Sequence, residues 1–422
     1  MQDGAYATTI GTSGHGNTVS GNTSNGIVLD QTHDNVVLGN RIGVNSAGTA
    51  SLSNGGTGVS VGLASHNRIG GTATGEGNVI SGNGGSAVSM VLSSDLTIVG
   101  NRIGVDEDAS DAIPNGGAGI STNDVNPITI GGPTVGARNV ISGNVGPGIR
   151  INYCSSGTVQ GNFIGTNGAG TAPIPNGGAG VARSITGGVN IGGSAPGAGN
   201  VISGQAGDGL TLSDAVSVVD GNFIGTDATG AGPLPNTGAG VRINGASGGS
   251  VIGGGVTAAG NSIAFNGGGG IVHTASPRDV VFGSNRIHSN TGLGIDLGGD
   301  GVTPNDATDP DTGPNDLLNF PVLTSAVANG TTTVVGGTLN SIPGADFTIQ
   351  IFSSVSCDPS TYGEGEVFEG WTTVTTGSGG DGTFSATIGR NLLGRHITTT
   401  TSTSLSTGGM TSEFSACRMA VP

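Results

Sequence analysis

Acidic side chains are the first place to look for chemistry, because cutting a glycosidic bond takes a positioned pair of carboxyl groups. Asp106, Glu107, Asp108 and Asp111 crowd one short segment, but Asn45, Thr166-Asn167 and Thr226-Asp227 hold the equivalent places in neighbouring copies of a repeat. A group that becomes an amide in the next copy fits a loop better than a catalytic acid. The stretch Asp309-Pro310-Asp311-Thr312-Gly313-Pro314-Asn315-Asp316 sets side-chain oxygens around a glycine, a donor set suited to a hard cation such as Ca²⁺. It lacks the bidentate Glu of an EF-hand loop. Asp309, Asp311, Asn315 and Asp316 are therefore candidate calcium ligands, and a solvated acidic linker is the alternative. Cys357 and Cys417 could form a disulfide in an oxidising compartment, leaving Cys154 free. The His residues show no metal-ligand spacing, no Ser-His-Asp or Cys-His arrangement stands out, and no glycine-rich segment reads as a phosphate loop opening a helix.

The acidic segment at 106–111 rides on a repeat. The units Asn17-Thr18-Val19-Ser20, Asn78-Val79-Ile80-Ser81, Asn139-Val140-Ile141-Ser142, Asn200-Val201-Ile202-Ser203 and Asn261-Ser262-Ile263-Ala264 start 61 residues apart. A second series runs in phase with them: Asn40-Arg41-Ile42-Gly43, Asn101-Arg102-Ile103-Gly104, Asn162-Phe163-Ile164-Gly165, Asn222-Phe223-Ile224-Gly225 and Asn285-Arg286-Ile287-His288. A third, Gly-aliphatic-x-aliphatic, recurs about every 30 residues from Gly26-Ile27 to Gly294-Ile295, so each 61-residue period holds two turns. Short strands with period-two alternation and glycine corners cannot bury a face alone, but stacked on the next turn they can. The solution is a right-handed parallel β-helix of about ten turns, each turn adding one strand to each of three sheets. It predicts an inward column from Val19 and Ile42 to Ile263 and Ile287, flanked by a stacked amide column from Asn17 to Asn285.

Composition agrees and excludes other classes. Glycine supplies 87 of 422 residues while aromatics are 3%, so the core must come from many small stacked elements. Net charge is -16, and every basic residue is Arg. That argues against nucleic acid, whose phosphates want a basic patch. No run of 18 apolar residues marks a membrane span, and the start Met1-Gln2-Asp3-Gly4 lacks the marks of a secretory signal.

The motifs Gly-Asn-x-Ile-Gly, Pro-Asn-x-Gly-x-Gly-Val and Asn-Val-Ile-Ser-Gly-Asn resemble those of right-handed parallel β-helix repeat proteins of bacterial exteriors, related in fold to pectate lyases. The likeness covers about residues 5–300, within a parallel β-helix domain expected over 1–300. An acidic Gly/Pro/Asp-rich linker follows over 301–320, and alternating Thr/Val-rich segments over 321–422 resemble an immunoglobulin- or fibronectin-like β-sandwich. The resemblance implies an extracellular or cell-surface location and a polysaccharide or cell-surface protein as partner. Enzymes of that fold carry acids, Arg or Lys, and often calcium, over a groove on one sheet. In the Gly-aliphatic sheet the outward positions here are Val28, Ser60, Ser89, Ser121, Arg150, Ala182, Thr211, Arg242, Val272 and Asp296, with no carboxylates on adjacent turns. The expectation is a non-catalytic rod for adhesion or display, with Arg150, Gln160, Asp220 and Arg242 as surface-binding candidates. A polysaccharide lyase or glycoside hydrolase is the alternative. Longer segments after Gly43, Gly104, Gly165 and Gly225 should line one edge, either as a binding face or as a cover over the outward residues Val140, Phe163, Val201 and Phe223.

Overall fold

The computed structural model describes residues 4–14, 16–185, 187–245, 248–255, 260–275 and 279–422. It is all-β, with three parallel sheets built from strands of two to six residues, followed by antiparallel strands. Among the described residues no helix is long and apolar enough to cross a membrane.

By internal contacts the chain forms two compact units. One holds residues 1–211 and 221–238; the other holds 212–220 and 239–422.

In the first unit the predicted columns are in register. In the second sheet Val19 pairs with Ile42, Ile42 with Ile80, Ile80 with Ile103, Ile103 with Ile141, Ile141 with Ile164, and Ile164 with Ile202. From Ile42 to Ile224 these isoleucines are fully buried, each contributing about 1.5–3 kcal/mol relative to exposure. Beside them runs the amide column. Asn101 Nδ2 donates to Asn139 Oδ1 at 3.1 Å, and Asn139 Nδ2 donates to Asn162 Oδ1 at 2.9 Å and to the Ile98 carbonyl at 2.9 Å. A second amide column lies where the chain leaves the second sheet for the third: Asn22, Asn54, Asn83, Asn115, Asn144, Asn176 and Gln205. Gly104 shows why the corners need glycine. Its φ is +81°, and a Cβ there would lie 2.1 Å from the Ser142 carbonyl oxygen.

The two turns of each period differ in where they carry extra chain. One makes a hairpin between the second and third sheets, closed by antiparallel bridges Val44–Ser51, Val105–Ala112, Thr166–Pro173 and Thr226–Pro233. The other carries a glycine-rich segment between the first and second sheets, at 71–77, 132–138 and 193–199. This alternation is the physical origin of the 61-residue period.

The second unit contains the last turns and two antiparallel sheets. One holds strands Val322–Ala328, Thr333–Asn340 and Asp381–Ile388; the other holds Val367–Thr375, Asp346–Ser354, His396–Ser402 and Arg418–Met419. They share a core of Leu323, Val335, Phe347, Ile349, Phe384 and Ile397. Cys357 and Cys417 are joined, S–S 1.97 Å, and Cys154 is buried and free.

This unit closes the edges that a stack of parallel strands leaves open. The last strand of the first sheet, Val281–Gly283, is met by Thr411, whose hydroxyl accepts from Phe282 N at 3.0 Å. Gln350 accepts from Ser284 N at 2.8 Å and donates to the Phe282 carbonyl at 3.1 Å. In the second sheet Ile287 and Gly365 exchange backbone bonds of 2.8 and 2.7 Å. In the third, Glu413 accepts from Leu297 N at 2.8 Å and Thr303 N at 3.0 Å. The second amide column ends here on a carboxylate: Glu364 accepts from Ser289 N at 2.5 Å, Asn290 N at 3.1 Å and Asn290 Nδ2 at 3.2 Å. Burial pushes both carboxyls up to about 7, against these donors, which pull the other way.

Candidate functional site

The two kinds of extra chain stand on opposite sides of the second sheet in the first unit, and between them lies a trough. Its floor is the outward column Arg41, Val79, Arg102, Val140, Phe163, Val201 and Phe223, in register turn by turn.

Each hairpin wall is nucleated by one acceptor near its start. Asn45 Oδ1 accepts from Thr49 N at 2.9 Å, Asp106 Oδ1 from Ser110 N at 2.8 Å, Asn167 Oδ1 from Thr171 N at 2.9 Å, and Asp227 Oδ1 from Thr229 N at 3.0 Å. Asn and Asp are interchangeable here because only the oxygen is used. The Thr229 hydroxyl, with backbone N–H groups, holds the Asp227 carboxyl below its ordinary range. Successive hairpins are tied across the intervening turn: Glu107 N donates to Gly48 O at 3.0 Å, Gly168 N to Ala109 O at 2.8 Å, and Ala228 N to Gly170 O at 2.9 Å. The wall is therefore a continuous hydrogen-bonded row.

The hairpins also settle what becomes of the apolar floor. Val105, Ala109 and Ile174 lie on Val140, Phe163 and Val201 as one buried cluster, while Val44 and Ile113 cover Val79. What stays open is two clefts, the first largely polar and the second with aromatic rings in its lining. A cleft of 530 Å³ is lined by the glycine-rich segment 71–77 and by Arg102, Asp108, Ser110, Arg138 and Asn167. Two turns further on a second cleft, of 420 Å³, is lined by Arg138, Phe163, Gly168, Gly197 and Phe223. Arg138 is shared by both. Its guanidinium carbon sits 4.0 Å from the Phe163 ring centroid and its Nε donates to Gly161 O at 3.2 Å, while burial lowers its pKa. Arg41 pairs with Glu107 at 3.0 Å.

The acids of this segment thus have distinct positions. Asp106 is buried in the hairpin turn, Glu107 is in the ion pair, and Asp108 is exposed at the rim of the cleft.

The sequence-derived surface candidates do not assemble. Arg150 and Arg242 lie on strands of the third sheet, in Ile149–Asn152 and Val241–Ile243. Gln160 and Asp220 lie on the first, in Gly157–Gln160 and Ser217–Asp220. They form no common column, because equal outward phase on two different strands puts side chains on two different faces. Arg150 is exposed, and Gln160 Nε2 donates to the Gly192 carbonyl at 2.9 Å. Of the calcium candidates, Asp309 and Asp311 come together with Asp306, their carboxylate oxygens all within 4.8 Å of one another. Asn315 is turned away: its amide donates to Val280 O at 2.7 Å and to Thr411 O at 2.9 Å, and accepts from Val280 N at 3.0 Å. Asp316 follows it with φ +53°.

Arg102 and Arg138 were not singled out in the sequence. Arg102 was visible as the variable residue of Asn-Arg-Ile-Gly. Arg138 precedes the recurring unit Asn139-Val140-Ile141-Ser142 and has no periodic signal.

No family model matches the chain, and no curated protein does. Among solved structures the chain is similar to tailspike protein 2 of Escherichia coli O157:H7 bacteriophage CAB120, with TM-score 0.27 and 11% identity, over 95% of this chain and 65% of that one. The chain thus spans just under two thirds of that protein's length. It is also similar to a mutant tailspike protein of E. coli bacteriophage HK620 in complex with a pentasaccharide, with TM-score 0.22 and 11% identity, over 93% of this chain and 71% of that one.

Proposed function

We propose that this chain is a non-catalytic carbohydrate-recognition protein of the cell exterior, reading a polysaccharide along the trough over the second sheet. The observation that carries this reading is the 530 Å³ cleft, which sets Arg102 and Arg138 and the amides of a glycine-rich wall around an open, polar channel. Hydroxyl-rich ligands are held by many fixed donors and acceptors rather than by apolar area, and hydrogen-bonded walls supply these without an ordering cost on binding. The second cleft, of 420 Å³, two turns on and sharing Arg138, suits a ligand that itself repeats. The Cys357–Cys417 disulfide agrees with an oxidising, extracellular setting, and the two antiparallel sheets read as an immunoglobulin-like module that closes the solenoid.

A panel of neutral and acidic polysaccharides, assayed in parallel for binding and for new chain ends, tests the reading. Binding without turnover is expected. Turnover would transfer the site to the polysaccharide lyase or hydrolase class, and neither binding nor turnover would leave a structural spacer.

A further inference from the structure

Beyond the trough, the second unit holds a group of acids that its fold does not explain. Asp306, Asp309 and Asp311 bring carboxylate oxygens within 4.8 Å of one another. Acids so close repel, and a folded chain normally turns them outward. Here the opposite has happened. Asp309 is only 9% exposed; one of its oxygens accepts from Asn319 N at 3.2 Å and from the Ser341 hydroxyl, while its Oδ1 is buried with no hydrogen-bond partner. The Oδ1 atoms of Asp306 and Asp311 are likewise buried and without hydrogen-bond partners. Leaving one such oxygen dry is costly, and more so when it is charged. Three in one place call for a common partner.

We propose that Asp306, Asp309 and Asp311 form a Ca²⁺ site. Three carboxylates without nitrogen or sulfur donors select a hard cation, and oxygens separated by up to 4.8 Å can be bridged by an ion with ligands at about 2.4 Å. Burial and the neighbouring acids Asp306, Asp309 and Asp316 push the Asp311 carboxyl up to about 6, a shift that a bound cation would reverse. The site is placed to matter. Asn319 donates from Nδ2 to Asp306 O at 2.8 Å and to Asn340 O at 2.9 Å, and Asn315, on the same segment, closes the last strand of the first sheet through Val280. The ion would lock the 306–311 loop, which Asp309 ties to Ser341 and Asn319 ties to Asn340, and so steady Asn315 against the solenoid edge. Sequence spacing points to Asp309 and Asp311 but not to Asp306; the left-handed residues Thr308 and Asp309, φ +65° and +58°, fold that acid back.

The test is calorimetric Ca²⁺ titration and thermal unfolding of the full chain after EGTA treatment. The wild type should bind one Ca²⁺ saturably and gain several degrees in Tm, with a smaller gain from equal Mg²⁺. D311N should lose at least tenfold in Ca²⁺ affinity, yet in EGTA it should melt no lower than wild type, because one of three like charges is gone. D306N serves as the second variant if D311N does not fold. No binding heat with unchanged Tm in EGTA and in millimolar Ca²⁺ would overturn the site, and so would undiminished Ca²⁺ binding by both variants.

Discussion

In the first unit columns of amides satisfy one another turn after turn; in the second unit two buried glutamates end such bonding. Asn139 is satisfied by Asn101 and Asn162, copies of itself one turn away. Asn290 has no next copy, and Glu364 takes that place with an oxygen on the Asn290 backbone and side-chain nitrogens. A repeat can satisfy its own polar groups only while it continues. Where it stops, donors are left over, and acceptor-only groups such as carboxylates are the natural ending. In the first unit, where the amides satisfy one another, Arg102, Asp108 and Arg138 line an open cleft. The difference separates two roles for polar residues in one architecture: closing an edge and meeting a ligand.

The sharpest way to break the comparison is inside the column. Asn139→Ala strands Asn101 N and the Ile98 carbonyl in a dry interior, while Asn101 Nδ2 keeps the Ile69 and Val99 carbonyls, a loss of about 4 kcal/mol. Asn17→Ala, at the exposed start of the column, should cost about 1 kcal/mol or less. Urea unfolding of both variants measures the contrast, and equal losses would mean that the column is not a cooperative structure.

The closing carboxylates should show a pH signature that the amide columns lack. Glu364 and Glu413 are raised from 4.5 to about 7, so between those values the folded chain holds protons that the unfolded chain has released. Their contribution is then fully present below about pH 4.5 and is lost as pH rises through about 7, roughly 3 kcal/mol for each group. Unfolding midpoints should fall from pH 5 to pH 7.5 in the wild type and fall less in E364Q/E413Q. A wild-type midpoint that climbs over this range would show that the backbone donors outweigh burial.

What could be read from the sequence follows from what repeats. The inward isoleucines and the column from Asn17 to Asn285 were visible because every turn imposes the same contact on them. The second column was in plain view, since Asn144 belongs to the motif that marks the period, but Asn next to Gly also signals a turn and the two uses look alike. The hairpins were legible as extra chain, and their acid-or-amide position as structural, because Asn45, Asp106, Asn167 and Asp227 alternate. The trough was not legible. It needs the glycine-rich segments on the far side of the same sheet, and no sequence period states that 71–77 faces 106–112. Asn315 was misleading for a similar reason: its spacing from Asp309 and Asp311 suggests a shared ligand sphere, whereas its left-handed φ of +49° carries the amide to Val280.

The separation of roles is tested most directly by measuring affinity for the best-bound polysaccharide in wild type, R102A/R138A and E364Q at one pH where all three are folded. The account predicts that R102A/R138A binds at least tenfold more weakly, a change of about 1.4 kcal/mol or more, while E364Q binds as the wild type does. Unchanged binding by R102A/R138A, or a loss confined to E364Q, would contradict it.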